Sequence, residues 1–566
     1  MRYENWEING FDRDSAVELC RKGINPLISV FLTSRGVTDI KEVNSILGDI
    51  PSNIYDPFLM ADMEKAVARI SAAVNNHERI AIYGDYDVDG MTACAILALW
   101  LRSKGADYEI YIPGRFGEGY GLNRTAVDTL KAKGIDLIIT VDCGITAIEV
   151  AEYIRELGID LVITDHHECK DTLPYAEAVV DPMRPDCGYP HKTLAGAGVA
   201  FKLACALEHG TSIDEMINRY GDLVTLGTVA DVMPVTGENR ELIKRGLRII
   251  NKNPRPGILR LLKEVGVERG KVNTAVIGFM IAPRLNAAGR MGRTEVSVEL
   301  TLTEDEAEAE RLAEELSRLN TERRTIEMQI CEEAEAMYEA SQPDGGLIVL
   351  ANKGWYQGVT GIVAARMAER YLAPAVIISI DDDGVGRGSC RSFAKFGMYS
   401  ALRTCEDILI EYGGHEMAAG VTVASSSVDE LRERLKECYR QSVKDKSRYG
   451  LKMDFEVTKP ELLSAQNVES LEALEPFGRD NLPPLLCIKS AALITVQSIG
   501  AGKHSRLKIG KSGKTMECIF FGVPSETLGV VEGDLVDVAF VPQINEFRGR
   551  SNVQLHVHDI RPANKA

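Results

Sequence analysis

Three short stretches of this 566-residue chain carry side chains that could hold divalent cations. Asp85, Asp87 and Asp89 alternate directly after the apolar run Ile80–Tyr83. Asp142 follows the run Leu137–Val141, and Asp165-His166-His167 follows the run ending at Thr164. Carboxylates with one or two imidazoles and no cysteine suit hard cations such as Mn2+ or Mg2+. Aspartates crowded together repel one another unless cations neutralise them. Two ions about 4 Å apart clamp a phosphoryl group, polarise it and lower the pKa of an attacking water. The chemistry to expect is therefore hydrolysis of a phosphoester on two ions.

Blander readings exist for each residue alone. One Asp after a strand is most often a helix cap, and a lone His is most often structural. Asp-x-Asp-x-Asp-Gly also opens a calcium loop, but its twelfth position here is Ile96 and not the distal Glu that pattern requires. Two adjacent histidines after an Asp, with other acids placed alike, favour the metal reading of the set.

The elements that must position these residues read as a sheet with helices. Apolar runs without alternation recur at Ile80–Tyr83, Glu109–Ile112, Leu137–Val141, Leu161–Thr164 and Ala178–Val180, as in strands buried on both faces. Helical stretches at Met91–Ser103, Thr125–Lys133 and Ala147–Leu157 separate several of them, which predicts a doubly wound parallel sheet. Ligands of such sheets bind outside the carboxyl ends of the strands, where all three acidic stretches fall.

The rest of the chain divides by texture. Residues 1–75 read as a helical segment, 76–240 as the acidic domain, and 241–341 as a helical region ending in a long connector helix. Thr303 and Glu306 suggest a capping box for that helix, and Leu312, Leu316, Leu319, Ile326, Ile330, Ala334 and Met337 keep a helical stripe. Gln342-Pro343-Asp344-Gly345-Gly346 breaks it, and residues 342–450 form a second α/β lobe. In 451–566, strands around Ser490–Gln497, Ser505–Ile509, Thr515–Phe521, Leu535–Pro542 and Val553–Val557 suggest a small β-barrel of the OB type. The fold class is α/β: two α/β lobes joined by a long helix, plus a C-terminal OB-type barrel.

Composition narrows the class. Hydrophobic residues make up 45% and charged residues 26%, as in globular proteins. The longest apolar run, Ala93–Leu101, is far short of a membrane span, and the start lacks an apolar signal core. Lys and Arg number 65 against 83 Asp and Glu, a net charge of -18, which argues against coating nucleic acid by bulk charge. The 12 cysteines show no C-x-x-C pair and read as thiols of a reducing cytoplasm.

The motifs Gly84-Asp85-Tyr86-Asp87-Val88-Asp89-Gly90, Val141-Asp142-Cys143-Gly144 and Asp165-His166-His167 resemble the first three motifs of the DHH phosphoesterase superfamily. Gly227-Thr228-Val229-Ala230-Asp231-Val232-Met233-Pro234 looks like the fourth acidic motif. Pro283-Arg284-Leu285-Asn286-Ala287-Ala288-Gly289-Arg290-Met291 is similar to a motif of the RecJ branch. Gly388-Ser389-Cys390-Arg391-Ser392 and Gly413-Gly414-His415-Glu416-Met417-Ala418-Ala419-Gly420 look like the DHH-associated second lobe. With the barrel, the resemblance covers nearly the whole chain.

That resemblance implies a metal-dependent exonuclease that degrades single-stranded DNA from the 5′ end to mononucleotides, in recombination and repair. The family's metal ligands carry over onto Asp85, Asp87, Asp142, His166 and Asp231. Asp89 is either a ligand or a residue that orients the loop. His167, beside the metals, would position phosphate or water with Asp165. The chain departs from many members in having Tyr83 where they have His, which bears on coordination of the first metal. Arg115 would lie near the 5′ end with Ser389 and Arg391. His415 would contact phosphate or the scissile oxygen.

An anionic strand needs local cations on a chain of this charge. Arg284 and Arg290 either hold backbone phosphates or pair structurally. Lys503, Arg506 and Lys508 lie in a stretch with no acid from Gly500 to Met516, as in a single-strand-binding hairpin. Gly196-x-Gly198 reads as a site of close helix packing, and Trp355 and Tyr356 as packing residues. The partners to expect are single-stranded DNA, a single-strand-binding protein and a helicase, with no membrane, for a cytoplasmic monomer. Two alternatives remain open at this level: a phosphodiesterase of short oligonucleotides or cyclic dinucleotides, and an inactive single-strand DNA-binding scaffold.

Overall fold

The computed structural model describes residues 3, 5–48, 54–114, 121–341, 346–394, 396–442, 450–547 and 550–563. The chain forms two compact units. One comprises Met1–Ile54, Pro234–Gly237 and Ser447–Ala566; the other comprises Tyr55–Met233 and Glu238–Lys446.

In the larger unit the strands β1 (Ile80–Tyr83), β2 (Tyr108–Tyr111), β3 (Leu137–Val141), β4 (Asp160–Thr164) and β5 (Ala178–Val180) form a sheet in the order β2-β1-β3-β4-β5. Every neighbouring pair is parallel. One face, through Ala81, Tyr83, Ile138, Leu161 and Ile163, packs on Val127 and Ala151 of the helices Arg124–Ala132 and Ile148–Glu156. The other face is covered by α1 (Val88–Ser103) and α2 (Gly196–Leu207), with α3 (Ile213–Ala230) packed on both helices. Burial on both faces is what unalternated apolar strands require.

After helices at Gly237–Lys252 and Pro256–Glu264 come α4 (Ala282–Arg290), preceded by a π-helical turn at Ile277–Ile281, a helix at Thr294–Leu302, and the 35-residue α5 (Glu306–Ala340), about 52 Å long at 1.5 Å per residue. The α5 cap differs from the expected box. Asp305 accepts the Glu308 N–H at 2.8 Å, while Thr303 ends the preceding helix. The Thr–Glu pattern lost because an Asp two residues later is an equally good cap. Met337 is exposed and Tyr338 is buried in its place. The stripe also contains a buried polar step, where Glu327 receives Arg323 at 2.7 Å and Arg366 at 2.6 Å.

The second lobe contains β6 (Ile348–Lys353), α6 (Gln357–Tyr371), β7 (Ala375–Ile380), β8 (Val385–Arg391), β9 (Leu409–Gly414) and β10 (Ala418–Ala424), with sheet order β9-β10-β8-β7-β6. The connector α5 packs against α4 and also against α6. Trp355 is buried and donates to Glu333 at 2.8 Å, a packing role as its sequence position suggests.

In the smaller unit, β11 (Leu486–Ile499), β12 (His504–Lys511), β13 (Lys514–Phe520), β14 (Leu535–Phe547) and β15 (Arg550–Pro562) run in the order β11-β12-β13-β15-β14, and β14 pairs back with β11. This closes a five-stranded barrel of the OB type. The N-terminal residues, which their helical texture groups with residues up to 75, divide at residue 54. The strand Asn5–Ile8 pairs with Gly450–Met453, and Leu27 and Phe31 join the core of Phe455, Leu486 and Phe540. A pairing across more than 400 residues leaves no local signature.

Candidate metal centre

Each acid sits where a strand or helix ends. Asp85 and Asp87 lie between β1 and α1, and Asp89 sits in the first turn of α1, which Asp87 caps by accepting the N–H groups of Asp89 and Gly90. The chain leaves β3 at Asp142 with φ 59°, a left-handed conformation of the kind found at functional sites. His166 and His167 follow β4, and Asp231 ends α3.

These groups meet. Three sets have ligand atoms within 4.8 Å of one another: Asp85, Asp87 and Asp142; Asp89, His166 and Asp231; and Asp142, His166 and His167. Nε2 of His166 lies 2.9 Å from Asp142, 3.7 Å from Asp89 and 3.9 Å from Asp231. Asp142 and His166 each belong to two sets.

Glycines permit the approach. A Cβ on Gly196 would lie 2.6 Å from the Asp142 Cβ, and one on Gly227 would lie 2.5 Å from Asp89 Oδ1. At the N-terminus of α2, the Gly196 and Ala197 N–H groups donate to the Asp89 carboxylate at 2.6 and 2.8 Å, a favourable place for an anion. The close packing expected of Gly196 therefore serves the acidic cluster.

Electrostatics test whether a cation fits. Burial, reinforced by Asp89 and Asp87, pushes the Asp142 carboxyl well above its usual range. Burial also raises Asp89, and burial with Asp89 raises Asp231 to about 7. For His166, burial is outweighed by Asp89 and Asp231, and its pKa rises. Oδ1 of Asp142 is buried and unsatisfied by any hydrogen bond, although His166 is 2.9 Å away. Five carboxylates thus face two imidazoles, His166 and His167, and the protein does not balance them itself. Two divalent cations would bring four positive charges to these five negative ones, so the residues fit a hard-metal pair.

The remaining residues singled out from the sequence fall in distinct places. Asp165 is buried and belongs to none of the ligand sets; it accepts from the His166 N–H, the His167 N–H, His167 Nδ1 at 2.7 Å and the Ile145 N–H. That pairing outweighs burial and raises the half-exposed His167 to about 9. Tyr83 is fully buried, with its hydroxyl on the Gly121 carbonyl at 2.9 Å, and is in none of the sets. His415 is on the exposed turn between β9 and β10. Arg115 lies outside the described residues.

Ser389 and Arg391 end β8 beside the start of α6. Ser389 Oγ is 3.0 Å from the Thr360 hydroxyl, and Arg391 Nη2 would be 3.3 Å from a Cβ on Gly361. Arg290 donates to the Gly358 carbonyl at the same helix end, while Arg284 donates to the Met280 carbonyl at 2.7 Å. In the barrel, Lys503, Arg506 and Lys508 are exposed. Their neighbourhood is less basic than the linear stretch suggests, because pairing of β12 with β13 sets Glu517 opposite Lys508 and 2.7 Å from Arg506.

One buried acid escaped the sequence reading. Asp181 directly follows β5, is fully buried, and leaves Oδ2 without a hydrogen bond. Burial and Asp165 raise it to about 7. Its strand-end position is the same signal that marks Asp142 and Asp165.

The family model of the DHH family, N-terminal domain, matches residues 79–228, that of the DHHA1 domain residues 344–441, and that of the RecJ OB domain residues 453–559. The chain is 38% identical over 557 residues to the single-stranded-DNA-specific exonuclease RecJ of Bacillus subtilis (strain 168), covering 98% of this chain and 70% of the relative. The crystal structure of RecJ in complex with Mn2+ from Thermus thermophilus matches with a TM-score of 0.84 and 29% identity, over 99% of this chain and 80% of that one. The Mg2+ complex of RecJ from the same organism matches with a TM-score of 0.78 and 28% identity, over 99% and 79%. A likeness of this extent, carried by three family models in one order along the sequence, shows that the chain belongs to the RecJ family.

Proposed function

We propose that the chain is a metal-dependent exonuclease that removes mononucleotides from the 5′ end of single-stranded DNA, in recombination and repair. The observation that carries this reading is the convergence of Asp85, Asp87, Asp89, Asp142, Asp231 and His166 within ligand distance. Asp85, Asp87 and Asp142 would hold one Mn2+ or Mg2+. Asp89, His166 and Asp231 would hold the other, with Asp142 shared between them. When bound, two such cations would supply polarisation of the scissile phosphate and a lowered pKa for an attacking water.

The other residues bind and orient. Asp165 fixes Nδ1 of His167 and leaves its Nε2 to donate to a phosphate oxygen. This imidazole stays protonated at neutral pH because its pKa is raised to about 9. Ser389 and Arg391, with the first N–H groups of α6, suit a terminal phosphate, because a guanidinium fork and a helix N-terminus both favour that dianion. Arg284, Arg290 and His415, and in the barrel Lys503, Arg506 and Lys508, would meet the backbone. We further propose a cytoplasmic monomer that takes strands exposed by a helicase and coated by a single-strand-binding protein. The 12 cysteines, all free thiols, support a reducing compartment. No helix among the described residues is long and apolar enough to cross a membrane.

Digestion of single strands labelled at one end tests the polarity. With Mn2+, a 5′ label appears in mononucleotide from the earliest times, whereas a 3′ label passes through a ladder of shortening strands. Release of mononucleotide from the 3′ label first would overturn the direction. Arg391→Ala should weaken binding of 5′-phosphorylated ends about 10- to 100-fold, as for loss of charge-assisted hydrogen bonds. Ends with a 5′-hydroxyl should change little in the same titration. Equal losses for both ends would remove Arg391 from the phosphate site.

A further inference from the structure

The most exposed large apolar side chain among the described residues is Phe279, at 83%. It lies in the π-helical turn Ile277–Ile281, immediately before α4. A π-turn inserts a residue into a helix and recurs at functional sites. The turn is anchored by Ile277 and Ile281, 0% and 1% exposed, so the bulge lifts the ring out of the core while the backbone stays fixed. Space beside it is open, since a Cβ on Gly278 would meet nothing within 4 Å. The stretch lies between the DHH-family match, which ends at residue 228, and the DHHA1 match, which begins at residue 344.

Two neighbours give the ring a context. The Arg284 guanidinium is held one residue away by its 2.7 Å bond to the Met280 carbonyl, and its buried Nε has no partner. Burial and the positive charge of Arg324 on the adjacent connector helix both disfavour the Arg284 cation, a local imbalance that a phosphate would relieve. The helix that starts after the turn also reaches the acidic cluster. Asn286 accepts the Val88 N–H at 3.1 Å, and Gly289 packs against the Tyr86 carbonyl so closely that a Cβ there would clash. Asn286 lies seven positions after Phe279, about 10 Å along the axis.

We propose that Phe279 is a stacking platform for one unpaired base of the substrate strand, with Arg284 and Arg324 contacting the phosphate beside it. An exposed aromatic face next to guanidinium groups suits a nucleotide whose base is splayed from its neighbours, and a paired base does not offer that face. The site thereby contributes to selection of single over double strands. This inference rests on the exonuclease reading above.

The test is binding of labelled oligothymidylate in chelator, by fluorescence anisotropy, to wild type and to Phe279→Ala, Phe279→Leu and Phe279→Trp. Phe279→Ala should weaken binding about 5- to 100-fold. Phe279→Trp should restore it, and Phe279→Leu, apolar but without a π-face, should not. A series of strands with one abasic residue moved inward from the 5′ end adds an independent readout. Wild type should lose affinity at one position, and Phe279→Ala should be indifferent to it. Wild-type affinity in Phe279→Ala, or equal rescue by Leu and Trp, overturns the platform, including in favour of a protein partner for this ring. Digestion of the intact strand by the wild type is followed in parallel. If it proceeds while Phe279→Ala binds normally, only the platform falls; if it is absent in Mn2+, the exonuclease reading falls and the platform with it.

Discussion

Asp142→Ala should lower the rate of nucleotide release on the order of 10³-fold at saturating Mn2+. Loss of a shared ligand removes transition-state stabilisation of about 4 kcal/mol, the scale of metal-assisted charge neutralisation. Asp142 has this weight because it belongs to both the Asp85–Asp87 set and the His166–His167 set. The fold should survive, because the acid contributes repulsion in the metal-free protein: it is buried, and Asp89 and Asp87 disfavour its charge. Asp142→Asn should therefore melt at a higher temperature than wild type in chelator, while being as inactive as the alanine variant. End-labelled digestion and thermal unfolding of the three proteins check both halves. Wild-type rates in Asp142→Ala would defeat the metal mechanism.

The metal-free enzyme should lose stability as pH rises from 5 to 9, and Mn2+ should reverse the loss. Asp181 and Asp231 are raised from an ordinary 3.8 to about 7. Between those values the folded chain keeps protons that the unfolded chain has released, so stability declines with rising pH across that window. His167, raised from 6.5 to about 9, adds the same sign: its contribution is complete below 6.5 and lost as pH passes through 9. Asp165, held below its usual range against burial by His167, acts only below about pH 4 and does not offset the decline. Cations bind the deprotonated acids, so their stabilisation grows with pH. Melting temperatures in chelator and in Mn2+ across this range measure both trends. Asp181→Asn should flatten part of the decline in chelator. A metal-free melting temperature that holds level or rises with pH would refute the charge imbalance.

Legibility in the sequence followed range of interaction. Strands β3 and β5 match the apolar runs residue for residue, because a strand buried on both faces has no polar position to blur its limits. The acids were legible because strand ends point to one edge of a parallel sheet, and the same rule applied to Ala178–Val180 would have found Asp181. The start of α5 was misread at Thr303, since two good caps lie two residues apart and only the backbone chooses between them. Glu517 was overlooked beside Arg506 because hairpin register, not sequence distance, brings it there. Phe279 gave no signal, since a π-turn is a tertiary adjustment within an apolar stretch that reads as core.

The sequence by itself determined which chemistry the chain can perform. Residue types point to hard cations such as Mn2+ or Mg2+ for the acids and imidazoles, and strand-end positions bring most of them to one edge of the sheet. Tertiary structure alone decided how those side chains group into sets with ligand atoms within 4.8 Å of one another. The grouping depends on α2 reaching Asp89 through Gly196, and on α3 delivering Asp231 to His166. It also decided that residues 1–54 belong with the barrel. Both outcomes are contacts between segments far apart along the chain, whose energies depend on close packing that no local pattern of residues encodes.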